Sequence, residues 1–557
     1  MRVQIGLGQI DPSAKPDSMP ASADVKSWVN LYDLKLDGLT VKNVLTCEHN
    51  QSILDGAGEE MPDIPEQYTW GLWSSEFSDE NGNFENPPVL DIGFGFNHKT
   101  PGLNLLFYPH SDDWASEVNV TWYDSSNNII HSGTYQFDST NGEIIERIVS
   151  FRRIKIEFLS TNIRNRYIKL IGINYGTGRS FEEEIDTASI LEEIDPTSNE
   201  ITINTLNFRI KTHNPEFSVV SGYGDEMLMR NQQMIVIADE KEFGTFFLQF
   251  PWKDVHSDGT VIDFQAVDAI GIMDKYQFWG NVYSDTPIET VISQLFTICF
   301  PTQLIRYVID PAFAGKLISG YIPICTCREA LQYICFAIGA IADDSRRDYV
   351  WIYPPDTILN HKLEPHHVYR SPEISPTTYY SGVDVVAYEY IPSEETVEAH
   401  NSILAAGRHI IKFSEPLYNL TISGGTIIES TANHAVINVS SDGEVILSGN
   451  IYNVNMPVFQ SRQEVVAGEV ENIKIYDNCT LMSPKDAQAA AERLYDYLSQ
   501  RTQFAGDVRL EENEPGYLIQ VPTIRYPISG TIEQLDINLR GGRARMKVIG
   551  DVYFPDI

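Results

Sequence analysis

Short runs in which apolar and polar residues alternate fill most of this chain, and the period turns helical in only three places. From about Lys42 to Gly176 the runs Val89 to Phe96, Leu103 to Phe107, Val118 to Tyr123, Ile129 to Phe137, Ile154 to Phe158 and Tyr167 to Ile173 are separated by Asn, Asp, Ser and Gly turns. Strands of that length and spacing predict an antiparallel sandwich. An acidic stretch from Glu182 to Asp195-Pro196 marks a boundary, and its charge run reads as a solvated face. Alternation resumes at Leu206, Phe208 and Ile210, then over Met234 to Ala238, Phe243 to Phe250 and Val261 to Val267. Four or more half-buried strands, with the hairpin signal Asp258-Gly259, predict a small barrel.

The first helical stretches lie between about Tyr283 and Tyr353. Thr286 is placed to cap a helix, Pro287 suits its first position and Glu289 completes a capping box. Ile288, Ile292, Leu295 and Cys299 then share one face. A second box, Thr326 with Glu329, opens a helix carrying Leu331, Ile334, Cys335 and Ile338, with Gly339 set to end it. The turn Asp343-Asp-Ser345 leads into a strand with Tyr349, Trp351 and Tyr353 on one side.

From about Pro376 the pattern is β again, through Glu444 to Gly449. Ser483-Pro-Lys-Asp486 is then expected to cap the longest helix, with Ala487, Ala490, Leu494 and Leu498 at helical spacing. Four further strand patterns follow: Phe504 to Leu510, Tyr517 to Val521, Gly530 to Leu539 and Arg543 to Val552. Gly244 to Val267 and Gly530 to Val548 share a strand, Gly-containing turn and strand, a likeness that does not by itself establish a repeat.

Composition narrows the function. The chain has 557 residues, enough for three to five domains, and its 42% apolar and 11% aromatic content supplies packed cores. A net charge of -37, from 77 acidic and 40 basic residues, opposes any surface that grips nucleic-acid phosphates or an anionic membrane. That charge reads as solubility of a large secreted or particle-borne protein, or as an acidic channel wall along which DNA slides without sticking. The six cysteines Cys47, Cys299, Cys325, Cys327, Cys335 and Cys479 are scattered, as reduced core cysteines are. Cys325-Thr-Cys327 has no second pair at ligand spacing, so no metal is expected. Residues 1–24 lack the apolar segment of a signal peptide, and the longest apolar runs are too short to span a bilayer.

No stretch supplies an enzyme. The chain has no His-Glu-x-x-His, Gly-x-Ser-x-Gly or P-loop, and Gly93-Phe-Gly95 lacks the rest of a dinucleotide fingerprint. His361, His366 and His367 fall in a proline-flanked segment without the helical register that aims two imidazoles at one ion, so a structural or solvated role is expected. No cofactor is implied.

Two resemblances follow. Ser52-Ile-Leu-Asp55-Gly56, Trp70-Gly-Leu-Trp73-Ser74 and Pro88-Val-Leu-Asp-Ile-Gly93 resemble the discoidin, or galactose-binding-like, jelly roll. That resemblance implies loops that hold sugars, with Trp70, Trp73 and Trp114 as candidate stacking platforms; the alternative is that these rings plug the core or an interface. From Ile201 onward, the barrel ending near Val267-Asp268, the module with Ile322-Pro-Ile-Cys-Thr-Cys-Arg-Glu-Ala-Leu331, and the Ser483 helix leading to Gly530-Thr-Ile and Leu539-Arg-Gly-Gly542 resemble, in their order, the tail hub proteins of phages and related injection systems.

The expected fold is therefore mainly β (α+β): an arm over 1–41, a jelly roll over 42–178, a first barrel over 179–282, a small α/β module over 283–356, and a second barrel over 357–557 with a helix at 483–500. The hub resemblance implies a non-enzymatic virion protein at the tail tip or baseplate, assembled in the host cytoplasm. It implies a homotrimer that offers six similar barrels to a hexameric tail tube or distal tail protein ring and receives a central spike or fibre. A cell-surface glycan is a further candidate partner; tight nucleic-acid binding and a membrane anchor are not expected. The alternatives are a carbohydrate-binding adhesin and, with only the Trp-bearing sandwich in its favour, an exported glycan hydrolase.

Overall fold

The computed structural model describes residues 2–8, 14–35, 48, 71–176, 178–212, 231–239, 241–256, 259–300, 305–355, 359–463, 470–523 and 526–552. Trp70, Cys47 and the Ser52 to Gly56 element lie outside them. The chain is mainly β, as expected, and is organised around one long sheet of two barrels.

The first barrel is built from β1 (Val3–Gly8), β2 (Ile185–Glu193), β3 (Thr205–Thr212), β4 (Gln233–Ala238), β5 (Lys241–His256) and β6 (Gly259–Val267). The second is built from β7 (Leu359–Lys362), β8 (Val368–Pro376), β9 (Thr502–Arg509), β10 (Leu518–Val521), β11 (Ile528–Asn538) and β12 (Arg543–Val552). Across the sheet the first runs β2-β3-β6-β5-β4-β1 and the second β8-β9-β12-β11-β10-β7, the same order displaced by six strands.

The agreement extends to single residues. One inward row in the first barrel is Ile190, Leu206, Ala266 and Leu248; its counterpart is Ile374, Phe504, Val548 and Ile532. A β-bulge follows Leu248 in one and Ile532 in the other. Leu248 N–H donates to Gln232 O (2.9 Å) and its carbonyl accepts from Asn231 (2.7 Å), while Ile532 N–H donates to Tyr517 O (3.0 Å) and its carbonyl accepts from Gly516 (2.8 Å). Asn231 and Gly516 both take the left-handed backbone that this turn needs, with φ 65° and 89°. The strand, turn and strand likeness seen in the sequence is thus a duplicated barrel. The sixth strands differ: β1 is antiparallel to β4, whereas β7 is parallel to β10.

The boundaries differ from the expected ones. Val3–Gly8 is not part of a free arm, because it pairs with β4 over five residues. Residues 14–35 instead support the jelly roll, where Ser18–Ala21 pairs with Val89–Phe107. The jelly roll is therefore an insertion between β1 and β2. Its long strands Val89–Phe107 and Asn141–Thr161 pair through three register breaks, which bend them around a core of Leu90, Ile92, Phe151, Phe158 and Trp122.

A second correction concerns residues between β8 and β9, expected in the second barrel. The helix Ala487–Leu498 and the sheet of Gly382–Val386, Val458–Arg462 and Ile473–Tyr476 share the core of the helix-strand module, with the helices Ile288–Cys299 and Cys327–Ile338. Ala487, Ala490, Ala491 and Leu494 form the buried helix face, and its small residues permit close approach. All three helices have twelve residues, so none is the longest. Strands between Glu389 and Asn455 make a further small unit around Ile437, Val445 and Leu447.

Local signals fared unequally. Thr326 and Glu329 form a complete capping box and Gly339 ends that helix at φ 78°. The first box does not form: Thr286 is held in a strand opposite Ile318, its hydroxyl donates to Ser284 O, and Pro287 occupies the cap position. Asp486, not Ser483, stands at the cap of the third helix, and the Ser483 hydroxyl donates to Asp486 Oδ2 (2.7 Å). The five described cysteines are free; Cys335 and Cys479 are pushed up to about 12 by burial, so they sit as thiols.

Candidate functional site: the barrel junction

The two barrels are fused where β2 meets β11, antiparallel from Ser189 opposite Asn538 to Glu193 opposite Gln534. The contact is between non-equivalent strands, since β2 corresponds to β8 and β11 to β5. It is head-to-tail and makes one continuous hydrophobic core, in which Ile190 and Ile537 are fully buried. Ile194 N–H donates to Glu533 O at 2.9 Å, which extends the ladder by one residue. By antiparallel alternation, Glu192 with Leu535 and Ile190 with Ile537 are the doubly hydrogen-bonded pairs.

The turn after Asp343 locks this junction. Arg346, at φ 56°, extends a guanidinium onto Glu192 of β2 with two 3.0 Å hydrogen bonds and a third, of 3.2 Å, to Glu511 O beside the second barrel. Arg347 donates to Glu514 Oε2 at 2.6 Å and to Ser345 O at 2.6 Å. The Glu192 side chain is 1% exposed, and burial pushes its carboxyl up even though Arg346 pulls it down. One module turn thus touches both barrels.

A second buried cluster ties the module to the first barrel alone. Asp268 accepts from Gly271 N–H (2.7 Å) and Asn204 N–H (2.6 Å), and Asp344 accepts from Ala269 N–H (2.9 Å). Burial raises both carboxyls, helped by the charge of Asp344 at Asp268 and by that of Asp343 at Asp344; Asp344 is pushed up to about 7 although its contact with Asp268 pulls it down, and Asp268 lies well above its ordinary value. The pair holds a shared proton where both charges together would be too costly.

Two of the three candidate sugar platforms lie among the described residues. Trp73 is 2% exposed and packs against Trp28 (5.4 Å between centroids) and Tyr108 (6.3 Å). It covers the buried Lys169, whose ammonium donates to Glu48 (2.5 Å) and Asp113 (2.9 Å). Trp114 is half-buried against the sandwich core, and its indole N–H donates to Phe137 O. Trp70 lies outside the described residues. His361 and His367 both face Glu511, at 3.3 and 2.7 Å, and among the described residues no group of three or more His, Cys, Asp or Glu is arranged to hold a metal.

The junction was missed in the sequence because it joins strands more than 340 residues apart. The one local sign was Asp343-Asp-Ser345-Arg-Arg347, a turn with two adjacent arginines next to a buried strand.

No protein-family model and no curated protein matches the chain. Among solved structures it is similar to a tail protein from Neisseria meningitidis MC58, at 9% identity over 67% of this chain and 94% of that one, with a TM-score of 0.42. It is similar to the 43 kDa tail protein of prophage MuSo2 from Shewanella oneidensis, at 9% identity over 67% and 96% of the two chains, with a TM-score of 0.39. The family 32 carbohydrate-binding module of C. perfringens NanJ, solved with galactose, is similar at 9% identity over 31% and 99%, with a TM-score of 0.19. Among the described residues no helix is long and apolar enough to cross a membrane.

Proposed function

We propose that this chain is a structural, non-catalytic hub of a phage tail or related injection machine. Three copies form a ring whose six similar barrels meet the last ring of a hexameric tail tube, while the opposite face receives a central spike or fibre. The observation that carries the reading is the duplicated strand order, β2-β3-β6-β5-β4-β1 and β8-β9-β12-β11-β10-β7, joined through non-equivalent edges. A head-to-tail contact between like units is the kind that generates rings. A three-fold tip meets a six-fold end without mismatch only if each chain carries the tube-facing unit twice. The net charge of -37 fits a lumen along which DNA passes without binding.

The buried ionisable groups serve architecture in this reading. Arg346 and Glu192 spend their hydrogen bonding on each other and on Glu511 O, and Arg347 on Glu514, Asp343 and Ser345 O. The location is the virion tail tip, reached by assembly in the host cytoplasm. Mass photometry of the purified chain tests the reading: a species near three times 62.9 kDa that caps isolated tail tubes is expected. Single chains at every concentration overturn it.

Docking of a surface glycan or a neighbouring subunit by the jelly roll is a second reading. Its support is that the sandwich has a core of its own and is inserted into the first barrel between β1 and β2. Affinity electrophoresis against host polysaccharide tests it, with no retardation counting against the glycan.

A further inference from the structure

The duplication lets the outward faces of the two barrels be compared residue by residue, and they differ in how their cations are neutralised. On the first barrel Arg209 donates to Asp263 of the neighbouring strand at 2.7 and 3.1 Å, and Lys211 donates to Asp186 at 2.9 Å. On the second, the counterparts of Arg209 and Asp263 are Asp507 and Arg545, the same two charges exchanged and again in register. The counterparts of Lys211 and Val261 are Arg509 and Arg543, which stand directly opposite each other on β9 and β12. Both arginines are exposed. Among the described residues neither guanidinium has an ion-pair partner, and Arg543 lies over the Tyr369 ring at 4.8 Å. Like charges directly opposite on paired strands oppose folding, so the barrel itself gains nothing from this pair.

The two arginines begin a row. In register across six strands, and over the fused junction, run Arg509, Arg543, Asn538, Ser189, Asn207 and Gln265. The alternate residues Val508, Ala544 and Ile537 are buried, so the row faces outward. At about 4.8 Å per strand it is about 24 Å long. After its two cations it holds only uncharged side chains that form hydrogen bonds. Because it crosses the junction between non-equivalent strands, the row occurs once in each chain.

We propose that this row is a docking surface for a different protein, whose carboxylates are received by Arg509 and Arg543. A planar guanidinium binds a carboxylate through two parallel hydrogen bonds, and two guanidinium groups side by side fit a pair of acidic side chains. A polyphosphate or nucleic acid fits less well, because Asp507 and Asp536 flank Arg545 beside the pair and the chain carries -37 overall. The proposal goes beyond the hub reading and takes from it only the number of chains. A surface found once per chain occurs three times in a ring of three, so its partner follows the three-fold order of the tip and not the six-fold order of the tube.

The test uses the full chain and a fluorescein-labelled hexaglutamate peptide, followed by anisotropy at about 0.15 M salt, where charges more than about 8 Å away are screened. Arg509→Ser with Arg543→Ser is expected to weaken binding about tenfold or more while leaving the urea midpoint unchanged or raised. Arg509→Lys with Arg543→Lys is expected to weaken it several-fold, because the charge stays and the paired hydrogen bonds go. Arg408→Ser with Lys485→Ser, which removes the same charge elsewhere, is expected to leave it unchanged. No binding by the parent, or equal weakening by both serine variants, overturns the proposal. A sodium polyphosphate that binds more tightly than the peptide through the same arginines overturns it too. In assembled tails, Asn207→Cys carrying a short photo-cross-linker is expected to join a protein other than this chain. Joining only to another copy of this chain overturns the docking surface and leaves the hub reading standing. Single chains that still bind the peptide through the two arginines overturn the hub and leave the docking surface.

Discussion

The two barrels share a strand order and a bulge but live in different surroundings, and the contrast separates what the fold needs from what the assembly needs. In both, the inward row crosses three central strands with fully buried side chains: Leu206, Ala266 and Leu248 in one, Phe504, Val548 and Ile532 in the other. The fourth member of the row, Ile190 or Ile374, is buried in the first barrel and 49% exposed in the second, because among the described residues another strand covers that edge in the first barrel only. The centre of each barrel is thus fixed by its own core, whereas the edges are fixed by what is placed next to them.

The largest expected effect comes from breaking the internal edge contact. Glu192→Ala or Arg346→Ala leaves an uncompensated buried charge, and each is expected to lower stability by about 3–5 kcal/mol. The measurement is the midpoint of the urea transition followed by a probe in the barrels. Replacing both, as Glu192→Leu with Arg346→Met, is expected to recover most of the loss, since it removes the desolvation cost with the attraction. If the single variants unfold like the parent, the junction is not held by this turn.

Truncation at equivalent positions sharpens the comparison. Leu248→Ala and Ile532→Ala should each cost about 2–5 kcal/mol and resemble each other, because both side chains are fully buried in the shared core. Ile190→Ala should cost a similar amount, but Ile374→Ala under about 1 kcal/mol in the isolated chain. Equal costs at 190 and 374 in dilute protein would show that the β8 edge is already covered.

Much of this architecture was legible because it is local. The alternation at Leu206, Phe208 and Ile210 reports a strand with one buried face, and Thr326, Glu329 and Gly339 mark both ends of a helix through contacts within one turn of it. Thr286 has the same signature and fails, since its backbone is held in the strand Asn281–Pro287 and its hydroxyl turns to Ser284. A ladder took precedence over a cap. What the pattern could not show is which strand lies beside which: β1 reaches β4 across the whole jelly roll, and the helix Ala487–Leu498 leaves the second barrel's sequence to complete the module's core. The same limit applied to the site, because Glu192 and Arg346 are ordinary charged residues until the fold brings them together.

The next comparison is between the two ways the module grips the barrels, a fixed ion pair at the junction and a titrating pair beneath the first barrel. Asp268 and Asp344 have carboxyls raised in the folded state, so the folded chain binds a proton more tightly than the unfolded chain. Their contribution to stability is fully present below the ordinary carboxylate value of 3.8 and is lost as pH rises through about 7. Urea midpoints measured between pH 5 and pH 8 should fall with pH, and Asp344→Asn, which supplies a permanent N–H toward Asp268, should flatten that slope. An unchanged slope would place the titration elsewhere.

The smallest expected effect lies in the turn that precedes β4 and β10. Asn231 and Gly516 do the same work, donating an N–H to the carbonyl of Leu248 or Ile532 from a left-handed backbone. Asn231→Gly should change stability by only a few tenths of a kcal/mol, since asparagine tolerates that backbone nearly as well as glycine at such turn positions. Gly516→Ala should cost about 1–2 kcal/mol from the backbone alone. Its new Cβ would also stand 2.5 Å from the Tyr353 hydroxyl, on the strand that follows the Asp343 turn. Asn231, whose exposed side chain accepts only an outer hydrogen bond from Lys275 Nζ (3.1 Å), tests mainly the turn, whereas Gly516 tests the turn and the module's contact with the second barrel together. If Gly516→Ala is as mild as Asn231→Gly, the module is not seated against that turn, and the two barrels differ less in their surroundings than their strands suggest.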